Sequence, residues 1–301
     1  MEEIIALRRF YNASLHKVLI KLDRKRKTMI VLFLLSIFLF IGIGVIVVKT
    51  SMPALSLFAW IPLVAYGTFL FARIRKFKAA FKPPVVSLIL DFFNKDIKYD
   101  MKNKVPKDRF LGSELFVTSA PYYRGEDYFT GKIGNVHFEM SELDVRQPSR
   151  VLSEMEQVFR GIFFHANFPE PFKGKILILP REDKQYLMRT IKGITRKGGY
   201  QVKAPIEEFE QEFITYANPD VATSNILSQG IFETILKYQK KIDKKIFVAF
   251  NESHFYLAID EPKDILEPNI FRSNVNFHLI RDFYEDISDL MHIVEDFVLY
   301  R

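Results

Sequence analysis

MIVLFLLSIFLFIGIGVIVV (residues 29–48) and MPALSLFAWIPLVAYGTFLFA (residues 52–72) follow each other with only Lys49-Thr50-Ser51 between them. The first run is 20 residues without a charge and the second is 21. A helix rises ~1.5 Å per residue, so each run reaches about 30 Å, the thickness of a bilayer core. Buried helices of soluble domains are usually shorter and seldom occur as two such runs in succession. The pattern predicts a transmembrane hairpin over residues 29–72, with spans 29–48 and 52–72.

The flanks orient it. Lys21, Arg24, Lys25, Arg26 and Lys27 precede the first run, and Arg73, Arg75, Lys76, Lys78 and Lys82 follow the second. The connection carries Lys49 alone. By the positive-inside rule both ends face the cytoplasm. The expected location is therefore the cell (inner) membrane, multi-pass, with both termini cytoplasmic. The charged lead is too long for a signal peptide, and no small-residue cleavage site precedes the second run.

Charge divides along the chain. Residues 1–82 hold 14 Lys and Arg against 3 Asp and Glu, while residues 83–301 hold 29 against 33. The net +7 thus resolves into +11 at the membrane end and −4 beyond it. The basic collar suits anionic lipid headgroups. A nucleic-acid partner is disfavoured for the acidic remainder. The chain has no cysteine, which rules out disulfides, thiolate metal sites and cysteine nucleophiles. Its 30 phenylalanines supply ample core material.

The predicted organisation has four parts. Residues 1–28 form an amphipathic cytoplasmic helix with Ile4, Leu7, Tyr11, Leu15, Val18 and Leu22 on one face. The hairpin covers 29–72. Residues 73–108 comprise the basic collar, a helix break at Pro83-Pro84, a short buried helix over Val85–Phe93, and a linker. Residues 109–301 form a cytoplasmic α+β domain with a mostly antiparallel sheet and packed helices.

Within that domain, Gly134-Asn135 marks a hairpin between Tyr128–Ile133 and Val136–Val145. Val136, Phe138 and Met140 have one parity, and Leu143 and Val145 the other. This predicts a bulge within Met140–Leu143. A short helix is expected over 151–158, then strands over 162–168 and 176–179. A helix is expected over 181–195, ending near Gly198-Gly199, and a strand over 209–216. Another helix is expected over 225–241. Ile246–Phe250 and Phe255–Ile259, apolar on both faces, read as a central hairpin. Ile280, Phe283, Ile287, Leu290, Val294 and Phe297 form a three-heptad seam, read as packing across the sheet.

No convergent catalytic set emerges. The six histidines never fall at four-residue spacing around a Glu, as a zinc hydrolase requires. There is no Gly-x-Ser-x-Gly elbow, and Gly131-Lys132-Ile133-Gly134 is a turn, not a phosphate loop. Glu252-Ser253-His254 reads as a polar turn, because adjacent residues cannot all face one substrate. Glu208, Glu210 and Glu212 read as the solvated face of a strand. Arg189, Lys192, Arg196 and Lys197 form the best basic cluster, a candidate contact for an anion or lipid headgroup. No catalytic, metal or cofactor residue is assigned, and no cofactor is expected.

Phe159-Arg160-Gly161-Ile162, Phe168, Phe172-Lys173-Gly174, Phe209-Glu210, Phe213 and Tyr216 together resemble the bacterial domain-of-unknown-function family 3137, over roughly residues 85–299. The resemblance implies a membrane hairpin followed by a cytoplasmic domain, of no established activity. It also implies bacterial origin and an envelope assembly, through genes neighbouring those of LemA-type membrane proteins. The family pattern Asp-x-x-x-Ala-Arg is not met, since Asp220 is followed by Ser224-Asn225, so no role for that Arg carries over.

The sequence therefore points to a membrane-anchored cytoplasmic binding or adaptor domain of unknown activity. Its expected partners are the bilayer and a membrane protein or second copy of the chain. The alternatives are an enzyme acting on a membrane-proximal substrate and a subunit of an oligomeric channel or transporter. Two spans without an ionisable residue make a poor conduction path for a single copy.

Overall fold

The computed structural model describes residues 2–50, 53–149, 153–169, 174–181, 184–219, 227–260 and 267–299. The chain is α+β, with long N-terminal helices and an antiparallel sheet. It divides into two compact units, Met1–Phe93 with Leu266–Tyr284, and Asn94–Ile265 with Glu285–Arg301.

The helical unit begins with α1 (Glu2–Phe10), a π-helical turn (Tyr11–Leu15) and α2 (His16–Thr50). Leu7, Tyr11, Leu15, Leu19 and Leu22 are buried, whereas Ile4 is exposed and Val18 only half-buried. The expected face is thus shifted onto four-residue steps from Leu7 to Leu19. Four residues overrun an α-helical turn by about 40°, and the wider π turn absorbs that drift.

α3 runs unbroken over Pro53–Phe93, with Pro62, Pro83 and Pro84 inside it. The expected break at Pro83-Pro84 does not occur. An internal proline costs a helix ~3 kcal/mol or more. Here Phe77, Phe81, Val85, Val86, Ile89 and Leu90 are all buried around the pair. Six such side chains at ~1.5–3 kcal/mol each outweigh the loss. α2 and α3 pack side by side, and the Tyr66 hydroxyl donates to the Leu32 carbonyl at 2.7 Å. Past Leu32, most of the large apolar side chains of α2 among the described residues are exposed. Among the described residues, Glu2–Ile46 is long and apolar enough to cross a membrane, and 6% of its most apolar 18-residue window is buried.

The C-terminal segment completes this unit. Glu267 pairs with Lys78 and, at 3.1 Å, with the buried Lys82. The last helix, here α8 (Phe277–Leu299), sets Phe277 edge-on to Tyr11 and Tyr284 against Phe92 and Phe93. Ile280, Phe283 and Ile287 are buried and Asp282, Glu285 and Asp286 exposed, as the seam requires. Among the described residues, Phe277 and Tyr284 in its first half meet rings of the N-terminal helices. The side chains of Leu290, Val294 and Phe297 lie outside the described residues.

The second unit is built on a sheet of nine strands among the described residues, in the order β1-β2-β3-β4-β9-β8-β5-β7-β6. These are β1 (Lys98–Asp100), β2 (Tyr122–Ile133), β3 (Val136–Pro148), β4 (Met155–Asn167), β5 (Lys175–Pro180), β6 (Tyr200–Val202), β7 (Phe213–Ala217), β8 (Ile246–Asn251) and β9 (His254–Asp260). Every pairing is antiparallel. The hairpin of β8 and β9 is central, as its two apolar faces predict. The helices are α4 (Lys107–Gly112), α5 (Lys184–Thr195), α6 (Glu207–Glu212) and α7 (Gln229–Ile242).

Several expectations are corrected. β1 lies within the expected linker. Residues 155–158 begin β4 instead of ending a helix. Glu208, Glu210 and Glu212 sit on α6, so only Phe213 onward is strand. There Phe209 packs on Phe213 and Phe232, each with ring centroids 4.8 Å apart, and this burial holds a helical turn in an aromatic-rich stretch. The start expected at Asn225 for α7 lies outside the described residues.

The bulge exists, but on the other strand. Glu126 pairs with Glu142 and Phe129 with Met140, leaving Asp127 and Tyr128 opposite Ser141. Asp127 takes the left-handed conformation, φ 56°. β3 itself pairs regularly with β4 from His137 to Val145. Its change of parity has a different cause, since both faces are buried: Phe138 and Met140 on one, Leu143 and Val145 on the other. The second face carries a core of Phe159, Phe163, Leu177 and Phe247, capped by Phe110 and Phe116.

Candidate functional site: a carboxylate–histidine–histidine chain

β3, β4 and β9 lie side by side, and alternation aims Glu139, His165, His254 and Tyr256 at one face. Glu139 pairs with His165 across the strands, His165 with Tyr256, and Asn167 with His254. This makes His254 the diagonal neighbour of His165. The His165 Nδ1 lies 3.0 Å from Glu139 Oε1, and its Nε2 lies 3.0 Å from His254 Nδ1. The Tyr128 hydroxyl donates to Glu139 Oε2 at 2.9 Å. Tyr128 precedes Phe129, which pairs with Met140, so by alternation its side chain lies on the Glu139 face. Arg109 of α4 places its Nε 3.6 Å from Glu139 Oε1.

Burial pushes the Glu139 carboxyl up, but hydrogen bonds from His165 and Tyr128 and the nearby Arg109 charge outweigh it, holding the group below the usual carboxylate range. Burial pushes the His254 imidazole down, and the neighbouring His165 and Arg109 add to this against an opposing Glu252. Burial pushes the Tyr256 phenol up to about 12.

The carboxylate fixes one proton of the chain. An ionised carboxylate only accepts, so His165 Nδ1 carries the proton. The second hydrogen bond joins His165 Nε2 to His254 Nδ1, and His254 Nε2 stands at the end of the chain. His165 is buried while His254 is half-buried. The arrangement conducts the orienting effect of a buried carboxylate through two rings to an accessible nitrogen, which could act as a general base, a nucleophile or a metal ligand.

A cavity of about 270 Å³ opens on the other face of β2–β4, lined by Arg124, Glu126, Glu142, Asp144 and Arg160 among others. Oxygens of Glu126, Asp127 and Glu142 lie within 4.8 Å of one another. Asp127 also accepts from the Tyr99 hydroxyl at 2.5 Å, and two guanidinium groups share the lining.

The basic cluster expected from sequence lies on one helix and the turn that ends it. Arg189 and Lys192 are on α5, and Arg196 and Lys197 follow in its terminal turn. Lys192, Arg196 and Lys197 are exposed, and the Arg189 side chain lies outside the described residues. Lys197 Nζ is 3.6 Å from Glu114 Oε2, which also binds Lys175 at 2.6 Å. Glu252-Ser253 form the turn, with Glu252 at φ 55°, and His254 begins β9. His254 nevertheless joins a site, with partners from other strands. The available signal was the polar residue interleaved in each apolar strand, Glu139 between Phe138 and Met140 and His165 between Phe164 and Ala166.

Fold and site together define an α+β sheet domain joined to long apolar helices. Residues 157–299 match the family described as protein of unknown function (DUF3137). The match bears out the resemblance carried by the aromatic and glycine positions. No curated protein and no solved structure matches the chain.

Proposed function

We propose that the chain is a membrane-anchored cytoplasmic binding domain, held by a transmembrane hairpin of α2 and α3. The observation that carries this is the unburied apolar surface of the helices. Phe38 is 72% exposed and Val48 80%, and on α3 Phe58, Ile61, Val64 and Phe71 are exposed as well. Each large apolar side chain left in water forgoes ~1.5–3 kcal/mol, a loss that a hydrocarbon surrounding removes. The collar of Arg and Lys at both helix ends supports a cytoplasmic placement of the two termini. Lys192, Arg196 and Lys197 are accessible for an anionic headgroup, and Arg189 belongs to the same proposal. Topology reporters fused after Arg9 and after Arg301 should both report cytoplasm. An extracytoplasmic signal from either end would sink the two-span reading.

The hydrogen-bonded chain from Glu139 to His254 favours a second reading, an enzyme acting near the membrane with His254 as base or nucleophile. Diethyl pyrocarbonate should modify His254 readily at neutral pH, and Glu139→Gln should change that rate by removing the carboxylate charge that His165 Nδ1–H meets. An unchanged rate in the variant removes the support.

A further inference from the structure

The C-terminal segment meets the helical unit at a level that gives it a second role. Asn269 organises a tight loop: its Oδ1 accepts from the backbone N–H of Phe271 at 2.9 Å and of Arg272 at 2.8 Å. Its own N–H donates to Asn274 Oδ1 at 2.8 Å, and the buried Asn274 returns a bond to the Asn269 carbonyl at 2.7 Å. The loop is fixed to α2 on both sides of its tip. Arg26, paired to Asp23 at 2.6 Å, donates to the Ile270 carbonyl at 3.1 Å, and Ser273 donates to Asp23 at 3.3 Å. On the α3 side Glu267 holds Lys78 and Lys82.

This rigid frame presents Phe271 outward. The ring is 67% exposed, and Phe33 lies edge-on to it at 5.5 Å. Phe33 lies four residues into the apolar run that starts at Met29. At ~1.5 Å per residue, the tip of the loop therefore sits about 6 Å past the start of that run. Interfacial elements immerse their apolar groups ~5–10 Å into the headgroup and acyl boundary. Arg272, exposed beside Phe271, supplies the cation that suits anionic headgroups at this depth.

We propose that the Asn269–Asn274 loop is an interfacial wedge, with Phe271 inserted into the lipid boundary of the anionic leaflet and Arg272 at its headgroups. The partner is the bilayer itself. The loop, which is polar enough to be passed over in sequence, ties the far end of the chain to the membrane surface through one aromatic ring. The inference rests on the membrane reading of α2 and α3.

The absence of cysteine makes the test direct. Single-cysteine variants Phe271→Cys and, in the middle of the first run, Phe38→Cys are labelled with an environment-sensitive dye in the full chain. Arg272→Cys repeats the measurement with Phe271 in place. The proteins are reconstituted into vesicles of phosphatidylethanolamine and phosphatidylglycerol. Dye at 271 should emit blue-shifted light and be quenched by nitroxides near the headgroups, while dye at 38 is quenched by nitroxides deep in the acyl chains. Lipid quenching at 38 with only aqueous iodide quenching at 271 and 272 overturns the wedge and leaves the membrane reading standing. Aqueous quenching at all three positions overturns both.

Discussion

Phe110→Ala tests fold and site at once. Phe110 is the single buried residue of α4 and is 1% exposed. Its ring stacks on Phe116 at 5.3 Å and meets Phe163 at 5.1 Å and Tyr123 at 5.7 Å. Truncating a buried Phe costs ~3–5 kcal/mol, of which the aromatic pairs account for part. Against a total stability of ~5–15 kcal/mol this is a large fraction. For a unit of this size ~1 kcal/mol moves Tm by about 2–4 °C, so the expected drop is about 6–20 °C. The same helix carries Arg109 to Glu139 and sets Gly112 against the Tyr256 hydroxyl. Loosening α4 should therefore also raise hydrogen exchange in β4 and β9. The assay is a scanning melt of the full chain in detergent, with Val117→Ala, at an exposed position, as the control. A Tm for Phe110→Ala within a degree or so of that control would refute the packing argument.

Three further outcomes are expected. His254 is held below the ordinary histidine value, so the fold favours its neutral ring; that contribution is complete above pH ~6.5 and is lost as pH falls through the lower folded value. Stability should decline on acidification below pH ~6.5, and His254→Gln should flatten that decline in urea titrations run across pH. Gly125→Ala would place a Cβ 2.5 Å from the Glu142 carbonyl oxygen and 2.7 Å from a Leu143 methyl. Forcing that strand apart should cost ~1–3 kcal/mol or more, read as a lowered urea midpoint. Pro84→Ala restores an N–H to the interior of α3 and should raise the Tm of the helical unit, whereas no change would show that the surrounding packing already absorbs the proline.

Periodicity made much of this fold legible. Gly134-Asn135 and the apolar runs of β8 and β9 located hairpins, because a turn and a two-residue alternation are local properties. The bulge shows where local reading stops. A parity change in β3 has two physical causes, an inserted residue or a core on each face, and only the neighbouring strands decide between them. Asp127, the residue that does bulge, sits in a stretch where charge and glycine mask the alternation. Pro83-Pro84 and α6 failed for a common reason, since tertiary burial overrode a local propensity. The histidine chain was hidden for a third. Glu139, His165 and His254 are far apart in sequence and meet only through the strand order β3-β4-β9, which no spacing rule encodes.

The return of residues 266–284 to the N-terminal helices also sets an order of events during synthesis. Phe93 and Leu266, the last and first residues of the two pieces of the helical unit, are 173 positions apart. At ~5–20 residues per second, about 9–35 s separate their emergence from the ribosome. Throughout that interval Asp23, Arg26 and Lys82, buried in the finished protein, await the segment that supplies Ile270, Ser273 and Glu267. The first unit to be started thus closes only after every strand of the sheet described above has been made. A chain that terminates early leaves those charges uncovered beside an apolar surface, and it does so whether or not its sheet has folded.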